Sequence, residues 1–269
     1  MISINTNYGS LFATKSAGAA QKTMNTAMER LSSGLRINSA KDDAAGQGIA
    51  TRLSAEIMGL EMASRNASDA QSMIDTAEAA HQEVHSMLIR MREIAVQAAN
   101  GTLNSADRTA LNAEVTALET EITSIADNTA FAGVNLGTST AVTFQTGTGN
   151  GDTISHTFKD FDATKISANV DVLSTGSAGA AVSTLDAAIS LISTRRGELG
   201  ALSNRLSSIV ANLDNISVNL SSARGRIQDA DFATETSNLA KSQIMQQAAT
   251  AMLAQANASK GSILTLIQS

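Results

Sequence analysis

The sequence predicts a mainly α protein: a long antiparallel, coiled-coil-like helical rod with a small β-hairpin, and a separate pair of terminal helices. Three observations carry this reading. Small and apolar residues recur at alternating steps of four and three from Ile49 to Ala98, the seam of one helix packed lengthwise on another. There is no proline anywhere in the 269 residues, so no ring interrupts a helix. Hydrophobic residues make up 43% of the chain but aromatics only 3%, which favours helices in close approach over a thick aromatic core.

From the N-terminus, Ala13, Ala17, Ala20, Met24, Ala27 and Leu31 keep the same steps and predict an amphipathic helix with Gly34 as its C-cap. A polar connector follows, and its Asp42-Asp43 pair suits the start of the next helix. That helix has the seam Ile49, Leu53, Leu60, Ala63, Ala67, Ala70, Ile74, Ala77, Val84, Leu88, Met91, Ala95, Ala98, broken only by the polar Glu56 and His81 at seam positions. At 1.5 Å per residue it would run to roughly 75 Å, against a diameter near 50 Å for a compact chain of this size. The sequence therefore predicts an elongated subunit that works by side-by-side assembly.

After Asn100-Gly101, Asn104 or Ser105 caps a shorter helix with the seam Leu111, Val115, Leu118, Ile122, Ile125. Between 137 and 179 the composition turns to Gly, Thr, Ser, Val and Phe. Val142 with Phe144 and Ile154 with Phe158 read as the strands of a hairpin, 147–152 as its turn, the rest as irregular surroundings, and the stretch with Asn128 and Gly133 as the loop that closes the preceding helix. A second long helix starts near Val182 and carries Leu185, Ile192, Leu199, Leu206, Leu213 and Leu220. The last segment, from Thr234, is apolar nearly all round: Leu239, Ile244, Met245, Met252, Leu253, Ile263, Leu264, Ile267. A helix apolar on every side must be covered on every side. One partner helix cannot do that, so further copies of the chain are expected to cover the rest. The expected division is a terminal-helix polymerisation core of 1–43 with 231–269, and a rod domain of 44–230.

Net charge is −6, and basic residues are scattered, so nucleic acid is not an expected partner. No cysteine is present, which excludes disulfides and thiolate chemistry. The first residues carry no basic and apolar leader, and the uncharged run between Lys241 and Lys260 is too polar for a bilayer. Neither a signal peptide nor membrane insertion is expected.

Leu31 to Gly46, LSSGLRINSAKDDAAG, resembles the N-terminal hallmark of bacterial flagellin, and Arg92 to Gly101, REIAVQAANG, resembles a second. Arg226 to Glu235 and Met252 to Asn257 resemble C-terminal ones. The resemblance implies a non-enzymatic, secreted subunit that polymerises into the extracellular flagellar filament, here in a minimal form without large outer domains. It implies as partners other copies of the chain, an export chaperone on the C-terminal helix, and the filament cap and hook-junction proteins. It also implies a host Toll-like receptor contact at Arg90, Glu93, Gln97 and Glu114; Ile89 and Ile94 stand where enterobacterial members carry Gln and Leu. A hook–filament junction protein would share the nested helices but not the full set of motifs. A dimeric coiled-coil adaptor is the rival from another class.

Other constellations favour plain structural roles. His81 and His85 stand one turn apart, a spacing that can share a metal, but Gln82 replaces the Glu of the zincin motif and His81 occupies a seam position. The glycines of 147–151 lie between two strands rather than before a helix, so they read as a turn and not a phosphate loop. Asp42-Asp43 and the Glu119, Glu121 pair are expected on solvated faces, with no burial to raise a pKa. The sequence calls for no cofactor or metal.

Overall fold

The computed structural model describes residues 6–166 and 168–268, with side chains to residue 261. Its elements run α1 (Tyr8–Ser33), α2 (Ala44–Ala98), α3 (Ser105–Asn128), β1 (Ala130–Phe131), β2 (Val134–Asn135), β3 (Thr140–Gln145), β4 (Thr153–Phe158), α4 (Thr175–Gln228) and α5 (Phe232–Gln268). The chain falls into a terminal unit, Met1–Ala55 with Asn219–Ser269, and a central unit, Glu56–Val218, so the division lies inside α2 and α4.

In the terminal unit, α1 begins five residues before Ala13 because the Asn7 side chain caps it, accepting the Ser10 N–H at 3.1 Å. It ends at Gly34, whose φ of 72° is the left-handed conformation of a C-cap. Asp43 Oδ1 accepts the Gly46 N–H at 2.9 Å and starts α2. Asp42 instead accepts from the Ser39 N–H and hydroxyl and the Asn38 N–H, bonds that hold its carboxyl below the usual range, Ser39 foremost. At the start of α2 the seam is one residue out of the expected phase: Ala50 is buried and Ile49 is exposed.

In the central unit, α2 and α4 run antiparallel. Arg92 pairs with Asp186, Arg196 with Glu78 at 2.7 Å, and Gln71 donates to the Ser207 hydroxyl at 2.6 Å. The buried seam begins at Ile57, where the expected spacing put the step on Glu56. α3 starts on a capping box between Asn104 and Asp107 and folds back so that Val115, Ile122 and Ala126 meet Leu88, Met91 and Leu185 in one core. β3 and β4 pair antiparallel with Phe144 opposite Ile154 and Thr140 opposite Phe158. Phe144, Ile154 and Phe158 therefore share one face, and it closes a second core over Ala67, Ile74 and Leu206. The hairpin tip lies along α2: Asn66 donates to the Gln145 carbonyl, and Gly59 leaves room for Thr148.

Several expectations are corrected here. α4 starts at Thr175, ahead of Val182. The segment after β4, expected to be irregular surroundings of the hairpin, supplies core residues: Phe161, Ala163, Ile166, Ala168 and Val172 are each 2% exposed or less. Its backbone is satisfied by α3, since Glu119 accepts the Val170 N–H at 2.7 Å and Asn112 accepts the Val172 N–H at 3.0 Å. Glu119 is consequently not on a solvated face, and burial pushes its carboxyl up. β1 and β2 form a tiny hairpin around Ala132 and Gly133, both at positive φ, where a plain loop was expected. Over one 18-residue stretch α4 has a mean hydropathy of 1.2, enough by length and composition to cross a bilayer. Its apolar residues Ala178, Ala181, Leu185 and Ile192 are nonetheless spent on the central core.

Candidate functional site

α1 and α5 form an antiparallel pair whose contact line is made of small and polar residues. On α1 it is Ala13, Ala20 and Ala27, 4% exposed or less; on α5 it is Glu235, Ser242 and Ala249. Both series step by seven, the repeat that keeps one helix facing another along a left-handed supercoil. Side chains this small let the backbones approach closely but remove little apolar area from water. Polar rungs cross the seam as well. Arg30 meets Glu235 at 2.8 Å, the Gln246 amide donates to the Gln21 side chain, and Asn7 donates to the Ala256 carbonyl at 3.1 Å.

The larger apolar side chains of the pair point outward. Phe12 is 74% exposed, Ile244 65%, Met252 64% and Met245 44%. Between the helices Phe12, Ala13, Met245, Ala249 and Met252 line an apolar cavity of about 420 Å³. Of the residues marked from sequence, Ala13, Ala20 and Ala27 lie on the seam; Ala17, Met24, Leu31, Leu239 and Leu253 are half-buried beside it. Ile244 faces away from it, while Met245 and Met252, exposed on their outer sides, edge the cavity between the helices. Ile263, Leu264 and Ile267 lie outside the described side chains. Sequence reasoning missed Tyr8, Leu11 and Phe12, all more than 60% exposed, because it began the helix at Ala13; Asn7 as an N-cap was the available signal. It also missed Glu235 and Ser242, since a polar seam residue is invisible to an apolar period.

The family comparisons agree on what carries such a pair. Residues 4–139 match the bacterial flagellin N-terminal helical region and residues 182–267 the bacterial flagellin C-terminal helical region. The chain belongs to the bacterial flagellin family. It is 42% identical over 275 residues to a flagellin of Halalkalibacterium halodurans, with 98% of this chain and 99% of that one covered. It is 33% identical to flagellin A of Vibrio cholerae over 377 aligned positions, covering 99% and 100%; more than a hundred of those positions are therefore the relative's alone. The near-equal length of the first relative and the excess of the second mark this flagellin as a minimal form.

Among solved structures, the crystal structure of Bacillus cereus flagellin matches with a TM-score of 0.51 and 32% identity, over 55% of this chain and 88% of that one. A structure described as a flagellar hook-associated protein of Vibrio parahaemolyticus shares the fold, with a TM-score of 0.60 at 16% identity over 70% of this chain. As a flagellin, the chain is a structural subunit of the bacterial flagellar filament.

Elsewhere on this flagellin, three of the four residues marked for a receptor come together on α2 and α3. Arg90 donates to Glu114 at 2.8 and 3.0 Å and to Glu93 at 3.2 Å. Arg90, Glu93 and Gln97 are solvent-exposed and Glu114 is half-buried. Exposed pairs of this kind add little to stability. His81 is 3% exposed; its Nδ1 lies 2.7 Å from the Ala77 carbonyl oxygen of its own helix, and its ring stands 4.5 Å from that of Phe161. Burial pushes the imidazole below its ordinary value. It is a packed core residue, bonded within α2 rather than across to a second helix.

Proposed function

We propose that this flagellin polymerises through its terminal unit, with residues 1–43 and 231–269 as the polymerisation core and 44–230 as a rod domain that carries load along the filament. The observation behind this reading is the inversion of the α1–α5 pair: alanine, serine and one glutamate fill its seam, while Phe12, Ile244 and Met252 remain largely exposed. A pair so arranged gains little by closing on itself. At roughly 25 cal/mol per Å², most of the available burial lies on its outer faces, whereas ordering the backbone costs about 1–2 kcal/mol per residue. Neighbouring copies that cover those faces tip the balance, so folding and assembly of the ends are one event.

Before assembly the same apolar α5 is the surface for an export chaperone, and the filament cap and hook-junction proteins meet the ends of the polymer. The subunit works outside the cell, by mechanical transmission and without enzymatic chemistry. The Arg90, Glu93, Gln97 and Glu114 patch is the surface a host Toll-like receptor reads.

Reversible assembly tests the core of this reading. Purified chain dissociated by acid or heat and returned to neutral pH with short seeds should sediment as very long polymer and dissociate again on re-acidification. A chain that stops at a dimer would refute polymerisation through the terminal unit.

A further inference from the structure

α1 and α5 are tied together at one end of their pairing by a backbone bridge and an ion pair. Leu35 and Asp229 form an antiparallel bridge, flanked by Arg36 N–H on the Gln228 carbonyl at 2.7 Å and Ala230 N–H on the Gly34 carbonyl at 2.9 Å. The Arg36 guanidinium donates to the Ile227 carbonyl at 2.6 Å. Just beyond the bridge, Arg30 meets Glu235 at 2.8 Å, the glutamate side chain being only 9% exposed. Asn238 donates to its other carboxylate oxygen at 3.4 Å. This ion pair lies directly beside the bridge and joins α1 to α5.

Further out the seam is repetitive. Ala27, Ala20 and Ala13 recur every seventh residue, so sliding one helix along the other by a heptad exchanges one small residue for another and changes little apolar burial. Packing of that kind aligns helices weakly, and a buried polar pair aligns them strongly, because a slip leaves a charge without its partner. Closing the shortest loop also costs the least chain entropy, so pairing starts beside the bridge.

We propose that Arg30 and Glu235 are the positioning residues of assembly: they set the alignment of α1 on α5 next to the Leu35–Asp229 bridge, and the pairing then spreads outward to Asn7 and Ala256. This rests on the terminal unit being the assembly element. With the pair in place, the Gln21–Gln246 and Asn7–Ala256 rungs fall into register behind it. With either partner reversed, two like charges meet in the seam and the helices part.

The absence of cysteine allows a direct reporter of register. A Cβ at Gly9 would stand 3.3 Å from the Ala256 Cβ, close to the separation of about 3.5–4.5 Å found in disulfides. In a Gly9→Cys, Ala256→Cys background, four chains are compared with seeds present: no further change, Arg30→Glu, Glu235→Arg, and both together. Each single reversal should lower seed elongation about tenfold or more and the intrachain cross-link with it. The double reversal should restore both, with helical content of the central unit unchanged throughout. Single variants that cross-link and elongate like the parent, or a double variant no better than the singles, overturn the proposal. A single variant that loses the cross-link yet elongates normally upholds the alignment role and refutes the terminal unit as the assembly element.

Discussion

Phe12 projects from α1 with 74% of its surface exposed, beside the apolar cavity that Met245 and Met252 also line. Complete burial of such a side chain is worth about 1.5–3 kcal/mol. Three quarters of that is still available to a neighbouring copy, so Phe12→Ala should weaken assembly by about 1–2 kcal/mol. A tenfold change corresponds to about 1.4 kcal/mol, so the critical monomer concentration should rise roughly 5–30-fold. The side chain contributes little within the free subunit, so thermal unfolding of the monomer should move by no more than about 0.5 kcal/mol. Pelleting over a concentration series measures the first quantity and a calorimetric melt the second. An unchanged critical concentration, or a melt that falls in step with assembly, would show that Phe12 does not face a neighbouring subunit.

Three further outcomes concern the central unit. His81 is held neutral by burial, with its pKa below the ordinary 6.5, so the unfolded chain takes up the proton first; its contribution is intact above about pH 6.5 and is lost as the pH falls below it. His81→Leu should therefore flatten the decline in urea stability between neutral pH and about pH 5; an unaltered slope would mean that other groups set it. Gly137 leaves no room for a side chain, because a Cβ there would collide with the Ala126 carbonyl. Gly137→Ala should lower stability by about 1–3 kcal/mol, and a denaturant midpoint equal to the native one would contradict the close approach. Arg90→Ala with Glu93→Ala should cut receptor signalling in a reporter cell while monomer helicity is kept; undiminished signalling would remove the patch from the receptor reading.

The long seams were legible because a helix packed along its length leaves a period: Ala63, Ala67, Ala70, Ile74 and Ala77 are placed by spacing alone. The hairpin was legible from its alternation, and Gly34 from its position after a helical run. Phe161, Ile166 and Val172 were not, since a loop that enters a core has no period and is fixed by bonds from Glu119 and Asn112 on a distant helix. The same long-range bond explains why Glu119 was assigned to solvent. The site divided along the same line. Ile244, Met245 and Met252 could be picked out by their apolarity, but their outward direction depends on which face meets α1. The face that does so carries Glu235, paired with Arg30, two charged residues that no apolar pattern would select. The early phase error at Ile49 arose because Ala50 and Gly46, not the larger residue, make the close contact.

The central claim is that the ends of the chain assemble and the middle does not. Brief proteolysis of the monomer should trim both ends and leave a stable fragment running from about Ala44 to Ala230, where the two paired terminal helices are cut away. Purified and mixed with filament seeds, that fragment should remain helical by circular dichroism and fail to elongate them, while intact chain at the same concentration elongates them readily. A trimmed fragment that extends seeds as fast as the intact chain would contradict the account.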